Sequence, residues 1–503
     1  MTAQEAYEKL LRKSKETALL GSCESVLGWD ERTYMPKGGA EHRGDQIALL
    51  AGMVHERLTD PVVDEWLSEV ETGELREAPL STEAVNVREW RRGYDRATKL
   101  PKALVEEIAR VTTVGQQVWT EARAKKDFAR FEPTLAEVVR LKKEEASALS
   151  TGSSFYDALL EDYEPGETTE NLQRVFGPLR EALVSLVERV RRAPKKSDLS
   201  ILHRDYPEDL QAAFGTEAAA AIGFDFGRGR LDVTTHPFCS GLGPGDTRIT
   251  TRYDRNELNQ AFFGILHEAG HGVYDQGLSF EDWGTPMGNA VSLGIHESQS
   301  RMWENFVGRS PAFWRHFYPK LRSSFPGLLD DVAEDDFVLA VNDVRPSFIR
   351  VEADEATYNL HIMLRFELEQ ALINDDLPVS DVPGAWNETF ERYFGVRPED
   401  DAAGCLQDIH WSGGGIGYFP TYTLGNLYAA LLFDQAREEL GDLDAQFEAG
   451  EFAPLLTWLT EKVYRQGMRY YSNDLAIEVT GKPLSHEALI AHLTQKYEAL
   501  YGI

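Results

Sequence analysis

The chain has 503 residues, 42% of them apolar, with 83 acidic against 52 basic side chains and a formal net charge of −31. That composition supports a large buried core, and the charge excludes nucleic acid and anionic lipid as partners, since both need a basic surface. No run of about 18 apolar residues is present, so no membrane span is expected.

The first residues read as a charged amphipathic helix over 3–20, without the basic-then-apolar order of a secretion signal. A turn carrying Trp29-Asp30 and Met35-Pro36-Lys37-Gly38-Gly39 follows. Helices are predicted over 40–58, 61–70, 82–98, 101–124 and 132–149, several with proline at a first helical position. A short aromatic segment, 154–163, leads to helices over 169–191 and 205–222. The texture then changes: 228–235 and 247–253 alternate Thr, Val and Ile with charge, as strands of a small antiparallel sheet would, with a loop over 236–246 between them. Helices resume over 254–276, 288–308, 310–324, 334–342, 352–373 and 383–394. A glycine-rich loop, 412–417, precedes a helix over 422–440, and helices over 453–465, 472–480 and 485–501 close the chain. No linker, repeat or low-complexity tract interrupts this, so 1–503 reads as one mainly α domain. Cys23, Cys239 and Cys405 are odd in number and far apart, which implies no disulfide framework and makes a reducing cytoplasm the expected setting.

Chemistry concentrates in the helix over 254–276. His267-Glu268-Ala269-Gly270-His271 is an HExxH motif, whose histidines lie one turn apart on one helix face and can grip a zinc ion, with the glutamate beside the open position. Gly264, Gly270 and Gly272 cost a helix stability and make sense where a ligand or another backbone approaches closely. Glu297, in Ile295-His296-Glu297-Ser298, is the candidate third ligand. His296 competes for that role, but adjacent helical residues point about 100° apart, so only one can face the metal, and Glu297 is preferred. Glu268 is placed to accept the proton of a water activated by the metal. The segment from Gly404 to Trp411 and the glycine-rich loop leading to Tyr418 and Tyr422 offer donors for an oxyanion. Arg248, Arg345 and Arg350 are candidates to fork onto a substrate carboxylate, and each has a nearby acid, Asp246, Asp343 or Asp354, that could pair with it instead; charge alone does not choose among them.

Read together, HEAGH, the HES at His296-Glu297-Ser298, His236-Pro237-Phe238, Asp246-Thr247-Arg248-Ile249-Thr250, Ile349-Arg350-Val351-Glu352-Ala353-Asp354 and GCLQDIHW from Gly404 resemble the ordered motifs of the carboxypeptidase Taq family of thermostable metallocarboxypeptidases. Trp29-Asp30 and Met35-Pro36 resemble that family's N-terminal segment. The resemblance implies a mainly α, two-lobed helical shell around a deep groove, like neurolysin and angiotensin-converting enzyme, with a small antiparallel β-sheet. It implies removal of single residues from peptides with a free C-terminus, with broad specificity, by a zinc enzyme in which cobalt can substitute, commonly a homodimer. Carried over by motif, His267, His271 and Glu297 hold the metal and Glu268 is the base. Arg350 clamps the terminal carboxylate, and His236 and Arg248 line the groove and restrict substrate length. His410 and Tyr422 contact the scissile carbonyl, with Tyr418 a rival for the tyrosine's place. An endo-acting oligopeptidase of the same fold, or a non-catalytic peptide-binding protein, is the alternative.

Overall fold

In the computed structural model, which describes residues 1–503 except Glu74, Arg76, Thr151 and Ser153, Thr2 caps the first helix. Its hydroxyl accepts from the Glu5 N–H while the Glu5 carboxylate reaches back to the Thr2 N–H, a reciprocal capping box. With its start secured, the helix runs over Ala3–Thr33, so Trp29 and Asp30 are helical and the predicted turn begins only after them. Trp29 is buried, and that anchoring carries the helix through the stretch where the turn was expected to begin.

The architecture is mainly helical with one small sheet. Contacts divide the chain into two compact units. The first comprises Met1–Thr98, Asp198–Val341 and Ala429–Pro483; the second comprises Lys99–Ser197, Asn342–Tyr428 and Leu484–Ile503. Among the described residues no helix is long and apolar enough to cross a membrane.

In the first unit, Ala6, Tyr7 and Leu10 of the N-terminal helix pack with Val63, Leu67, Val70 and Val87. The sheet has the order β1-β3-β2, with β1 at Gly229–Val233, β2 at Cys239–Gly243 and β3 at Asp246–Thr251. β2 pairs antiparallel with β3, as expected of a hairpin, but β1 runs parallel to β3. The sheet is therefore mixed rather than antiparallel, because the predicted loop over 236–246 itself contains the middle strand in sequence, β2, bulged between Gly241 and Gly243. The buried Ile249 of β3 faces the motif helix, Leu258–Gly277. That helix buries Phe262 against Phe214 and Trp314.

Gly270 explains one of the costly glycines. A β-carbon there would lie 2.7 Å from both the Gln299 carbonyl oxygen and the Ser300 α-carbon, so only glycine lets the two backbones meet. The partner helix starts at Leu293, later than predicted, because Ser292 accepts from the Ile295 N–H and fixes the N-terminus there. It ends at Arg301 and widens into a π-helical segment, Met302–Val307, a departure that often marks functional sites.

In the second unit, Leu104, Val111, Val138 and Leu141 form a core cluster. The helix Thr357–Ile373 is buried on almost every side, yet carries His361, Arg365 and Glu369, each fully buried. The segment before it, Arg350–Glu352, is a 3₁₀ turn rather than the start of the predicted helix, because Asp354 caps the backbone at Ala356 and Thr357.

Candidate active site

The metal-binding candidates sit on two helices of the first unit. His267 and His271 are one turn apart on the motif helix, and Glu297 comes from the helix that Gly270 admits. Their ligand atoms lie within 4.8 Å of one another. Glu297 Oε2 is 3.4 Å from His271 Nε2 and 3.7 Å from His267 Nε2. Ligand atoms about 2.0–2.2 Å from a tetrahedral zinc are themselves about 3.3–3.6 Å apart, so the three groups fit a zinc-sized ion with little movement. His296 lies outside this cluster: its Nδ1 is 2.6 Å from His271 Nδ1 and its Nε2 meets Asp275 Oδ1 at 3.0 Å.

The charges are arranged for a cation. Burial alone would raise the Glu297 carboxyl, but the Arg301 guanidinium and the two imidazoles outweigh it and hold it well below the usual carboxylate range. Arg301 Nε donates to Glu297 Oε1 at 2.6 Å, which leaves Oε2 toward the histidines. Burial, with His296 beside it, brings the His271 imidazole down to about 4, so its ring is neutral at pH 7. Burial pushes the Glu268 carboxyl up to about 7, suited to a group that takes and returns a proton. Glu304, in the π segment, accepts from His267 Nδ1 at 2.9 Å and from Arg309 at 3.1 Å. Sequence reasoning missed Glu304 and Arg301. The signal was the acid–base–acid spacing Glu297, Arg301, Glu304, which places all three on one helical face.

The remaining candidates divide between the units. In the first, His236 is exposed in the connection between β1 and β2. Arg248 forks onto Asp246 through two 2.8 Å bonds and lies over Trp29 at 4.2 Å. In the second, Arg345 pairs with Asp343 at the surface, while Arg350 is buried. Arg350 Nε and Nη2 donate to Asp408 Oδ1 at 3.0 and 2.8 Å, and its Nη1 donates to the Tyr358 hydroxyl at 2.7 Å. The other oxygen of Asp408 accepts from Arg365 Nε at 2.7 Å. Burial opposes the Asp408 charge, but the two guanidiniums hold its carboxyl far below the ordinary range. Burial, with both arginines nearby and against the pull of Asp408, brings His410 down to about 4. Its Nε2 is 3.3 Å from the Tyr422 hydroxyl, and the Tyr418 ring lies 5.4 Å from both the His410 and Tyr422 rings. Arg350, His410, Tyr418 and Tyr422 thus form one cluster, in which the Tyr422 hydroxyl lies within hydrogen-bonding distance of the histidine.

A family model described as carboxypeptidase Taq (M32) metallopeptidase matches residues 9–497. Thermostable carboxypeptidase 1 of Thermus thermophilus is 49% identical over the whole of both chains. Carboxypeptidase 1 of Bacillus subtilis is 39% identical over 95% of each. The crystal structure of an M32 carboxypeptidase from Deinococcus radiodurans R1 has a TM-score of 0.96 at 39% identity, covering 99% of this chain and 100% of that one.

Proposed function

The chain belongs to the carboxypeptidase Taq (M32) metallopeptidase family, and from that membership, which brings a divalent metal and peptide substrates, we propose that it is a zinc carboxypeptidase releasing single residues from free C-termini with broad specificity. His267, His271 and Glu297 would hold the ion. When bound, zinc supplies Lewis acidity that polarises a peptide carbonyl and acidifies water. Glu268 takes the proton of the attacking water and returns it to the leaving amine, which its buried carboxyl near 7 suits. The Tyr422 hydroxyl, aligned by the neutral His410, donates to the developing oxyanion. Arg350 receives the terminal carboxylate.

The observation that carries the carboxypeptidase reading is the state of Arg350. Three of its five N–H groups bond Asp408 and Tyr358, which leaves one on each terminal nitrogen, the pair that grips a carboxylate with two bonds. Asp408 is shared with Arg365, so two guanidiniums rest directly on one carboxylate and a second anion is electrostatically welcome. The test is mass spectrometry of unmodified and C-terminally amidated peptides incubated with the protein. We expect a ladder of successive C-terminal losses from the free acids. The ladder vanishes with chelator, and Glu268→Gln abolishes it without loss of metal. Internal cleavage of the amidated peptides at an equal rate would show an oligopeptidase instead, and a metal-free, inert protein would show a binder.

A further inference from the structure

The two histidines of the HExxH pair are held from behind by unlike partners. His267 Nδ1 meets a carboxylate directly, Glu304 Oε2 at 2.9 Å, as metal-binding histidines commonly do. His271 Nδ1 instead lies 2.6 Å from Nδ1 of His296 and 3.1 Å from its backbone oxygen. His296 continues outward, its Nε2 3.0 Å from Asp275 Oδ1. We propose that His296 and Asp275 are positioning residues that orient His271 through an imidazole–imidazole–carboxylate chain and so tighten the hold on the metal. The proposal rests on the reading of His267, His271 and Glu297 as the ligand set.

Proton arithmetic supports one arrangement. If His271 presents the Nε2 lone pair toward Glu297, its Nδ1 carries the hydrogen. Two nitrogens 2.6 Å apart have room for one hydrogen between them, so His296 Nδ1 must accept. The His296 proton then sits on Nε2, where Asp275 accepts it. Each link of the chain thus has one donor facing one acceptor. The ring centroids are 4.5 Å apart and the planes 26° from parallel, so the two rings meet edge to edge and His296 limits rotation of His271 as well as bonding it.

The far end of the chain is fixed too. β2 passes directly over Asp275: a β-carbon on Gly241 would lie 2.8 Å from Asp275 Oδ2. Cys239 Sγ, on the same strand, approaches that oxygen at 3.8 Å. Asp275 lies one turn beyond His271 on the motif helix, so the spacing His267, His271, Asp275 repeats every four residues. His271 and Asp275 thus reach His296 from consecutive turns.

Removing an outer partner of a metal-binding histidine typically weakens metal affinity by about 10- to 100-fold. The test is competition for Zn²⁺ between the metal-free protein and a chromophoric chelator, with thermal unfolding as the check on folding and the visible spectrum of the Co²⁺ form as the check on geometry. We expect His296→Phe to weaken Zn²⁺ binding about 10- to 100-fold and to move the Co²⁺ bands, and Asp275→Ala to act in the same direction less strongly. The backbone oxygen of His296 survives in both variants. If both bind Zn²⁺ like the parent while His271→Ala loses it, that oxygen orients His271 alone and the chain is overturned. If His296→Phe does not fold, Asp275→Ala decides, and parental affinity there overturns the proposal. If His271→Ala itself binds like the parent, the ligand set falls, and the proposal with it.

Discussion

Arg248, Arg345 and Arg350 could not be told apart by charge, and the structure separates them by where each finds its counter-ion. Arg248 and Arg345 pair with Asp246 and Asp343, acids two residues away in the chain, and those local pairs were visible in the sequence. Arg350 does not use the nearby Asp354, which caps a helix; its carboxylate, Asp408, is 58 residues away. No spacing rule reports such a partner, so the sequence supplied Arg350 only through its motif. The metal candidates were readable for the opposite reason: HExxH is fixed by the geometry of one helix turn, whereas Glu304, 37 residues from His267, was not. The Arg350 assignment makes a prediction about substrates. Hydrogen bonds to a charged group are worth about 1.5–3 kcal/mol, which corresponds to roughly 10- to 100-fold in affinity. Arg350→Ala should therefore raise KM for free-acid peptides by about that factor and leave C-terminal amides nearly unchanged, measured by steady-state kinetics on matched pairs. Equal losses on both would remove the clamp role.

At the scale of elements, helix boundaries were legible where a cap or a proline set them and obscure where tertiary pairing did. β2, Cys-Ser-Gly-Leu-Gly, has the composition of a loop, and glycine disfavours strands. It is a strand because β3 offers it a hydrogen-bonding edge. The helix Thr357–Ile373 shows a similar limit, since nothing local announces that Glu369 will be fully buried. There its carboxylate gathers the Tyr156 hydroxyl at 2.7 Å, the Trp411 indole at 2.8 Å and the Gly417 N–H at 3.0 Å. Trp411 and Gly417 flank the loop between His410 and Tyr418, so this one acid clasps the loop at both ends. Burial pushes its carboxyl up to about 7 even though all three donors favour the ion. The consequence for stability has a definite sign. Below the ordinary value of 4.5 both folded and unfolded chains keep the proton, and pH has no effect through this group. Between about 4.5 and about 7 the unfolded chain releases it first, so rising pH favours unfolding; above 7 both have released it and the penalty is constant. The total is on the order of 3 kcal/mol. Chemical denaturation of the parent and of Glu369→Gln across this range should show the parent losing stability relative to the variant up to about pH 7 and not beyond. A difference that stays flat from 4.5 to 7 would contradict the shift.

Over the whole molecule the dominant fact is the charge. Acidic side chains outnumber basic ones by 83 to 52, and few of the acids are buried, so most of the excess faces solvent. Buried or half-buried acids such as Glu297, Glu355 and Asp408 are matched by Arg301, by Lys496, and by Arg350 and Arg365, so the sites themselves contribute little to the net field. A surface of that sign repels anionic peptides and attracts cationic ones before any contact forms, and the effect appears in the rate of encounter rather than in the chemical step. It also has a range. The screening length is about 30 Å at 0.01 M salt, about 8 Å at 0.15 M and about 3 Å at 1 M. Two peptides with the same last three residues, one rich in lysine and one in glutamate farther back, present the same groups to Arg350 and Glu268. Any difference in kcat/KM between them that depends on salt must then come from the long-range field. We predict a preference for the lysine peptide of several-fold or more at 0.01 M salt, shrinking toward unity by 1 M, with kcat nearly the same for both throughout. A preference that persists undiminished at 1 M would place the discrimination in short-range contacts with the peptide and deny the surface charge any part in choosing substrates.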